Sequence, residues 1–173
     1  MAKTVELRRH AASDGDVLTP EGVAAALEIG TRRRGRYDML VSSGAQRATQ
    51  ALASILAGMG ERQPVGVTVD PSFRSEVEER WMAAARASGG GGLETFRQTD
   101  PELVESEASR FGDALRRVFE ALPTDGRALV VGHSPMHEVS VLGLTGVVVE
   151  PLPKGKALLV TEDGEGFRVE PID

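Results

Sequence analysis

The chain contains no cysteine. This absence excludes a disulfide framework, a thiolate metal site and a cysteine nucleophile. No apolar run comes near the roughly 18 residues that a membrane-spanning helix needs. The segment Met1–His10 is also too polar for a signal peptide. We therefore expect a cytoplasmic protein without a membrane partner.

Lysine is scarce, with three residues against 17 arginines. Acidic residues outnumber basic ones, 26 to 20, and the formal net charge is −6. A surface with this balance does not attract nucleic acid or anionic lipid. Aromatic residues are few, 4% of the chain, and none interrupts the basic run Arg32–Arg36. We interpret that run as a solvated helix end and expect no nucleic-acid partner.

A chain of 173 residues, 40% of them hydrophobic, is long enough to bury a core. We find no internal repeat and no long linker, so we expect one domain over residues 1–173, as a monomer or a weak homo-oligomer. The glycine run Gly89–Gly92 is predicted to be a flexible joint.

Strand-like apolar runs alternate with segments of helical spacing along the chain. The predicted strands are Thr4–Leu7, Asp38–Val41, Val65–Val69, Ala128–Val131, Val147–Val149, Ala157–Val160 and Phe167–Val169. The first predicted helix begins at Thr19-Pro20. The other four cover Gln46–Leu56, Phe73–Ala87, Pro101–Leu122 and Met136–Leu144. This alternation predicts a three-layer α/β/α fold with a mostly parallel central sheet and antiparallel edge strands from the tail.

Basic and imidazole side chains follow three of the predicted strands. Arg9 and His10 come after the first, Arg47 begins the helix after the second, and His133 follows the strand at Ala128–Val131. Ligands of open α/β sheets bind at the carboxyl ends of the strands, so these four residues should share one crevice. Two guanidiniums and two imidazoles beside a helix N-terminus favour phosphate. The alternative is a structural role, which is commoner for a single histidine at a strand end.

Four segments resemble motifs of the histidine phosphatase superfamily, the phosphoglycerate mutase-like proteins. They are Leu7–Ser13 (LxRHGxS/T), Leu18–Gly22 (LTxxG), Ser42–Ala51 (SSPxxRAxQTA) and Val131–Glu138 (GHxPxxE). The last motif and the short chain resemble the bacterial phosphohistidine phosphatase branch, which is SixA-like. Ala11 replaces the usual glycine, Arg8 an apolar residue and Gly44 a proline, but the four core residues are retained.

The resemblance implies a mechanism without a metal or other cofactor. Neutral His10 would attack phosphorus and form a phosphohistidine that water then hydrolyses. Arg9, Arg47 and His133 would hold the phosphoryl oxygens and neutralise their charge. Ser13, which ends the first motif, belongs to the expected phosphate-binding residues.

A general acid for the leaving group is harder to assign. In the superfamily a glutamate after the third strand often has this role. Glu76 is our first candidate, followed by Glu79 and Asp14; the alternative is that these residues are solvated.

The leading interpretation is a metal-independent phosphatase acting on a phosphorylated substrate, with a phosphohistidine-bearing protein as the expected partner. A small-molecule phosphomonoesterase or a phosphomutase of the same fold remains an alternative. A non-catalytic module that binds a phosphorylated ligand is a third. Turnover of a generic aryl phosphate separates the last from the others.

Two competing motifs are incomplete. Gly132–Met136 differs from the GxSxG elbow of esterases at Met136, and the one histidine after Ser134 is too close to complete a triad. His133 and His137 have the i, i+4 spacing of a zinc pair, but Ser134 stands where HExxH requires glutamate. We expect His137 on the helix surface near the rim of the pocket.

Overall fold

The computed structural model describes residues 1–173. Its strands are β1 (Lys3–Arg9), β2 (Ser13–Asp14), β3 (Val17–Leu18), β4 (Met39–Ser42), β5 (Val67–Val69), β6 (Arg127–Gly132), β7 (Ala157–Asp163) and β8 (Gly166–Ile172). Its helices are α1 (Pro20–Thr31), α2 (Gln46–Met59), α3 (Glu78–Ser88), α4 (Leu93–Thr99), α5 (Pro101–Ala121) and α6 (Met136–Thr145). A short 3-10 turn, Pro71–Phe73, follows β5.

Six strands form one sheet in the order β5-β4-β6-β1-β7-β8. The first four strands are parallel to one another. Strand β7 is antiparallel to β1, and β8 is antiparallel to β7. In this register Arg9 pairs with Gly132, and Ser42 pairs with Val131. The residues that follow β1, β4 and β6 therefore leave the sheet side by side at its carboxyl edge.

Helices cover both faces of the sheet. On one face, Leu40 and Leu129 share a core cluster with Leu52 and Ile55 of α2. On the other, side chains of β1 and β6 pack with those of α5 and α6 in the largest cluster, which includes Val5, Val130, Leu115, Val118 and Val141. The predicted three-layer α/β/α fold with a mostly parallel sheet is confirmed.

The start of α1 lies against the loop that follows His10. Thr19 caps the helix by accepting from the backbone N–H of Gly22, and Pro20 occupies the first turn. A Cβ built at Gly22 would lie 2.0 Å from the carbonyl oxygen of Ala12. Only glycine therefore allows the helix to approach this loop so closely.

Arg8, which replaces an apolar residue of the superfamily motif, is fully buried in β1. Its guanidinium is paired with Glu6 and donates to the carbonyl oxygen of Gly155. Burial lowers the pKa of Arg8, against the attraction of Glu6. The ion pair and the carbonyl give the buried charge its partners, as such a charge requires.

The prediction of a strand over Val147–Val149 is wrong: residues 146–156 form a loop without a regular element. Consecutive valines favour extended structure, but a strand also needs a backbone partner, and these residues pair with no strand of the sheet. Val149 packs against the core without joining the sheet.

The segment predicted as one helix over Phe73–Ala87 divides into the 3-10 turn and α3, which begins only at Glu78. The predicted joint Gly89–Gly92 connects α3 to α4, a short helix that anchors itself through buried Leu93 and Phe96. No helix in the structure has both the length and the apolar character to cross a membrane.

Candidate active site

The carboxyl ends of β1, β4 and β6 bring the predicted residues together. Arg9, His10, Arg47 and His133 line one cavity of about 300 Å³. Arg9 ends β1, Arg47 lies in the first turn of α2, and His133 follows β6. The parallel register places three separate chain segments at one site, as expected for an open α/β sheet.

The Arg47 guanidinium lies between the two imidazoles. Its Nε donates to His10 Nε2 at 3.2 Å, and its Nη2 donates to His133 Nδ1 at 3.2 Å. The two rings are 5.4 Å apart, centroid to centroid. The planar Arg47 guanidinium therefore bonds with both histidines and holds them at this separation.

The hydrogen-bond partners assign the tautomer of His10. Its Nδ1 lies 2.8 Å from the carbonyl oxygen of Ala11, which can only accept, so Nδ1 carries the proton. The lone pair therefore lies on Nε2, toward Arg47. Burial, together with the positive charges of Arg47 and Arg9, lowers the pKa of His10 to about 4, although the Ala11 carbonyl opposes the shift. His10 is neutral at pH 7.

His133 has the other tautomer. Arg47 donates to its Nδ1, so the proton is on Nε2, which donates to Ser43 Oγ at 2.7 Å. Burial, and then the charge of Arg47, lowers the pKa of His133 to about 3. The Ser43 hydroxyl, buried after β4, therefore fixes the orientation of an imidazole that follows β6.

Asp16, which belongs to none of the sequence motifs, orients Arg47. Its Oδ1 accepts from Arg47 Nη1 at 2.8 Å, and its two oxygens also accept from the backbone N–H groups of Gln46 and Arg47. Although burial opposes the change, these bonds lower the pKa of Asp16. Ala45 provides no side-chain cap for α2, so Asp16 caps this helix from the β2–β3 hairpin.

Arg9 is held by a loop carbonyl. Its Nη1 donates to the carbonyl oxygen of Leu152 at 2.8 Å, while its buried Nε has no protein partner. The adjacent backbone N–H of Leu152 donates to Glu138 Oε1 at 2.7 Å. Glu138 thus fixes the loop segment that orients Arg9.

Glu138 is itself almost fully buried. Its Oε1 also accepts from the hydroxyl of Ser134, and its Oε2 has no partner. Burial raises the pKa of Glu138, against these hydrogen bonds. Glu138 ends the GHxPxxE motif, but the sequence pattern alone predicts no role for it.

The structure does not bring the expected acids or Ser13 to the cavity. Glu76 and Glu79 are exposed near the start of α3, and Asp14 and Ser13 lie on the β2–β3 hairpin; none of the four lines the cavity. The carboxylate that does line it is Glu78. Because α3 begins at this residue and not at Phe73, Glu78 lies at the edge of the cavity, whereas its neighbours Val77 and Glu79 are exposed.

Glu78 forms an i, i+4 ion pair with Arg74, whose Nε lies 3.1 Å from Glu78 Oε1. Both side chains are more than 40% exposed, so the pair is weak.

The expectation that His137 lies on the helix surface is wrong. The ring is 1% exposed, and its Nε2 donates to the carbonyl oxygen of Arg8 at 3.0 Å. Burial lowers the pKa of His137 to about 4, although the Arg8 carbonyl opposes the shift. His137 therefore does not face the cavity that contains His133, and no group of three or more histidine and acidic side chains is arranged to hold a metal ion.

Three larger cavities contain none of the four core residues. One, of about 620 Å³, lies between the loop around Leu152 and the end of β8. Another, of about 660 Å³, is a surface depression over Arg74–Arg80, and the third, of about 400 Å³, lies between Arg97 of α4, the start of α5 and Leu142 of α6. The smaller cavity is our candidate active site because the imidazoles with displaced pKa values converge there.

Comparison with known proteins identifies the fold. No protein-family profile matches the sequence, and no curated protein matches it. Among solved structures, phosphoserine phosphatase from Entamoeba histolytica, in complex with 3-phosphoglyceric acid, superposes with a TM-score of 0.77 at 15% identity, covering 99% of this chain and 97% of that one. Phosphoglycerate mutase from Bacillus anthracis gives a TM-score of 0.72 at 17% identity, covering 99% and 92%.

A protein assigned as the phosphohistidine phosphatase SixA of Agrobacterium tumefaciens gives a TM-score of 0.57 at 19% identity, covering 98% of this chain and 97% of that one. These similarities extend over nearly the whole chain. The fold is therefore that of the phosphoglycerate mutase-like histidine phosphatases, as the four motifs predict.

Proposed function

We propose that the protein is a metal-independent phosphatase that forms a phosphoenzyme on His10. The observation that carries this proposal is the state of His10: a neutral ring, with its proton on Nδ1 and the lone pair of Nε2 accepting from Arg47 Nε, in a cavity that also contains the Arg9 guanidinium. A nucleophile needs that lone pair, and a phosphoryl group needs those charges.

In the first step, Arg47 Nε turns from His10 Nε2 to a phosphoryl oxygen, and Nε2 attacks phosphorus while the bond from phosphorus to the leaving group breaks. The electron pair of that bond departs with the leaving group. Arg9 and Arg47 neutralise the charge on the phosphoryl oxygens. The phosphoryl dianion also raises the pKa of His133, so that Nδ1 of this ring takes a proton from solvent water and the resulting N–H donates a hydrogen bond to a phosphoryl oxygen.

In the second step, a water oxygen attacks the phosphohistidine. The bond from phosphorus to Nε2 breaks, its electron pair returns to the ring, and inorganic phosphate leaves. The Ala11 carbonyl holds the ring in the same tautomer throughout, so the lone pair is regenerated where it started.

For the substrate we propose a phosphohistidine, carried by a partner protein. An alkoxide leaving group needs a well-placed acid, whereas a protonated imidazole can leave neutral. The one carboxylate at the cavity, Glu78, is partly exposed and paired with Arg74, so its side chain is not held toward a leaving group. The alternative is a small-molecule phosphomonoesterase, favoured by the superposition with phosphoserine phosphatase and by the small cavity.

A trapping experiment tests the phosphoenzyme. The protein is mixed with a radiolabelled aryl phosphate and the reaction is quenched rapidly. We expect an acid-labile, base-stable phosphoryl group on His10. His10→Ala should abolish both the label and the turnover. His137→Gln is the matched control, because His137 does not line the cavity, and it should retain the label. Turnover by His10→Ala, or label on Ser42 or Ser43, would contradict the proposal.

A substrate comparison separates the two candidate functions. We expect kcat/KM to be highest for a phosphohistidine peptide, lower for an aryl phosphate and lowest for a sugar phosphate. Glu78→Gln should change kcat/KM for the phosphohistidine peptide little. If the sugar phosphate is preferred and Glu78→Gln abolishes its turnover, Glu78 is an acid and the phosphomonoesterase function takes precedence. Transfer of the phosphoryl group to a second sugar instead of water would indicate a mutase.

A further inference from the structure

The cavity that contains His10 has a second, apolar end. Its wall is formed by Trp81, Met82 and Ala85 of α3, Phe96 of α4 and Met136 of α6. Because both ends belong to one cavity, a leaving group attached to a phosphoryl group at the first end reaches the apolar end. The apolar end is thus placed to contact the leaving group.

Two of these side chains are rigid. Trp81 Nε1 donates to Glu107 Oε2 at 3.1 Å, and the indole meets the ring of Phe96 at 90°, with centroids 5.5 Å apart. Glu107 is buried and also accepts from Ser75, which fixes the segment before α3. Met82, by contrast, is 57% exposed at the mouth of the cavity. A fixed aromatic wall beside a flexible thioether suits a planar apolar group.

No positively charged side chain is available to pair with an anionic group at the apolar end. The two arginines that line the cavity, Arg9 and Arg47, are bonded to Leu152 and to the two histidines at the phosphate end. On α3, Arg80 is held by Asp100 through two bonds of 2.7 and 2.8 Å. Arg86 and Arg97, which follow Ala85 and Phe96 in the chain, do not line the cavity, and the remaining charged side chain that does line it is Glu78, a carboxylate.

We infer that the apolar end selects the leaving group: a single aromatic or similarly apolar group that carries no negative charge. A carboxylate on the leaving group would lose water there, gain no cation and lie near Glu78. Substrates of the phosphoserine or phosphoglycerate type are therefore excluded, whereas the imidazole of phosphohistidine satisfies the requirement. A cavity of about 300 Å³ lies at the small end of ligand sites, so one ring and one phosphoryl group suffice to fill it. This inference rests on the proposed phosphatase function.

A matched pair of substrates tests the inference with the unmodified protein. The compounds are 4-carbamoylphenyl phosphate and 4-carboxyphenyl phosphate, which have nearly the same shape and differ in charge. We expect kcat/KM to be at least about tenfold higher for the carbamoyl compound. Equal values would overturn the inference while leaving the phosphatase function intact. Absence of turnover with both compounds would overturn the proposed function as well.

A pair of variants places the selectivity at the wall. Met82→Arg adds a cation at the mouth, so the carbamoyl-to-carboxy ratio should fall by about tenfold. Ala83→Arg is the control, because it adds the same charge at the next, exposed position of α3, which does not line the cavity. An unchanged ratio in Met82→Arg, or an equal change in both variants, would show that the wall does not select the leaving group.

Discussion

His137 Nε2 donates to the carbonyl oxygen of Arg8 at 3.0 Å. This bond ties α6, which starts beside His133, to β1, which precedes His10. The ring is fully enclosed and its Nδ1 has no partner, so it cannot take a second proton without placing a charge in the core.

Acid should therefore destabilise the fold through His137. Its pKa is about 4 when folded, against roughly 6.5 when unfolded, so the unfolded state binds more protons between these values. The contribution of His137 is fully present above roughly pH 6.5 and falls by about 2 kcal/mol between pH 7 and pH 5. Urea unfolding at both pH values measures it. His137→Gln, which can still donate to Arg8, should be less sensitive to pH; an unchanged pH dependence in that variant would contradict the assignment.

The reactivity of His10 should persist well below neutral pH. Because its pKa is about 4, the lone pair of Nε2 is available above that value and is lost as the pH falls through it. We expect kcat/KM for an aryl phosphate, corrected for substrate ionisation, to show no loss from His10 between pH 7 and pH 5. A protonation that removes activity with a midpoint near 6.5, the ordinary value for histidine, would mean that His10 is not desolvated as described.

Ser43 and Ser42 offer a matched pair of adjacent hydroxyls. Ser43 accepts from His133 Nε2, whereas the Ser42 hydroxyl bonds with Thr49 and with the backbone N–H of Gly44. Ser43→Ala leaves the buried imidazole N–H without its partner, so kcat should fall by about tenfold or more. Ser42→Ala should leave kcat nearly unchanged, even if it lowers the melting temperature. Equal kcat values for the two variants would remove Ser43 from the positioning of His133.

Glu138 should affect activity through the loop at Leu152, which it holds in place. Glu138→Ala removes the acceptor of the Leu152 N–H and so releases the carbonyl that orients Arg9. We expect kcat/KM to fall about tenfold or more, by analogy with the loss of a buried hydrogen bond. Glu138→Gln keeps an acceptor oxygen and should retain most of the activity. If both variants lose activity equally, the negative charge of Glu138, and not its hydrogen bond, is what the site requires.

Much of this architecture could be predicted from local patterns. The central strands and most helices follow from the spacing of apolar residues, which depends on the repeat of the backbone and not on distant contacts. The convergence of His10, Arg47 and His133 follows equally directly, because parallel strands present their carboxyl ends on one edge.

Other features depend on partners that are distant in sequence. The valines at Val147–Val149 have the local preference of a strand but pair with no strand of the sheet. The orientation of Glu78 depends on where α3 begins, next to a segment that Glu107 of α5 fixes through Ser75. Asp16 acquires its role only because a hairpin places it over the start of α2.

The sequence by itself therefore determined the layered fold and the residues at the strand ends, since both follow from backbone geometry and residue order. The tertiary structure decided the protonation of those residues and the chemistry around them. The tautomers of His10 and His133, the burial of His137 and the apolar wall at Trp81 and Phe96 each depend on groups from other elements. Desolvation and hydrogen bonding depend on which groups are close in space, and tertiary packing determines which groups these are.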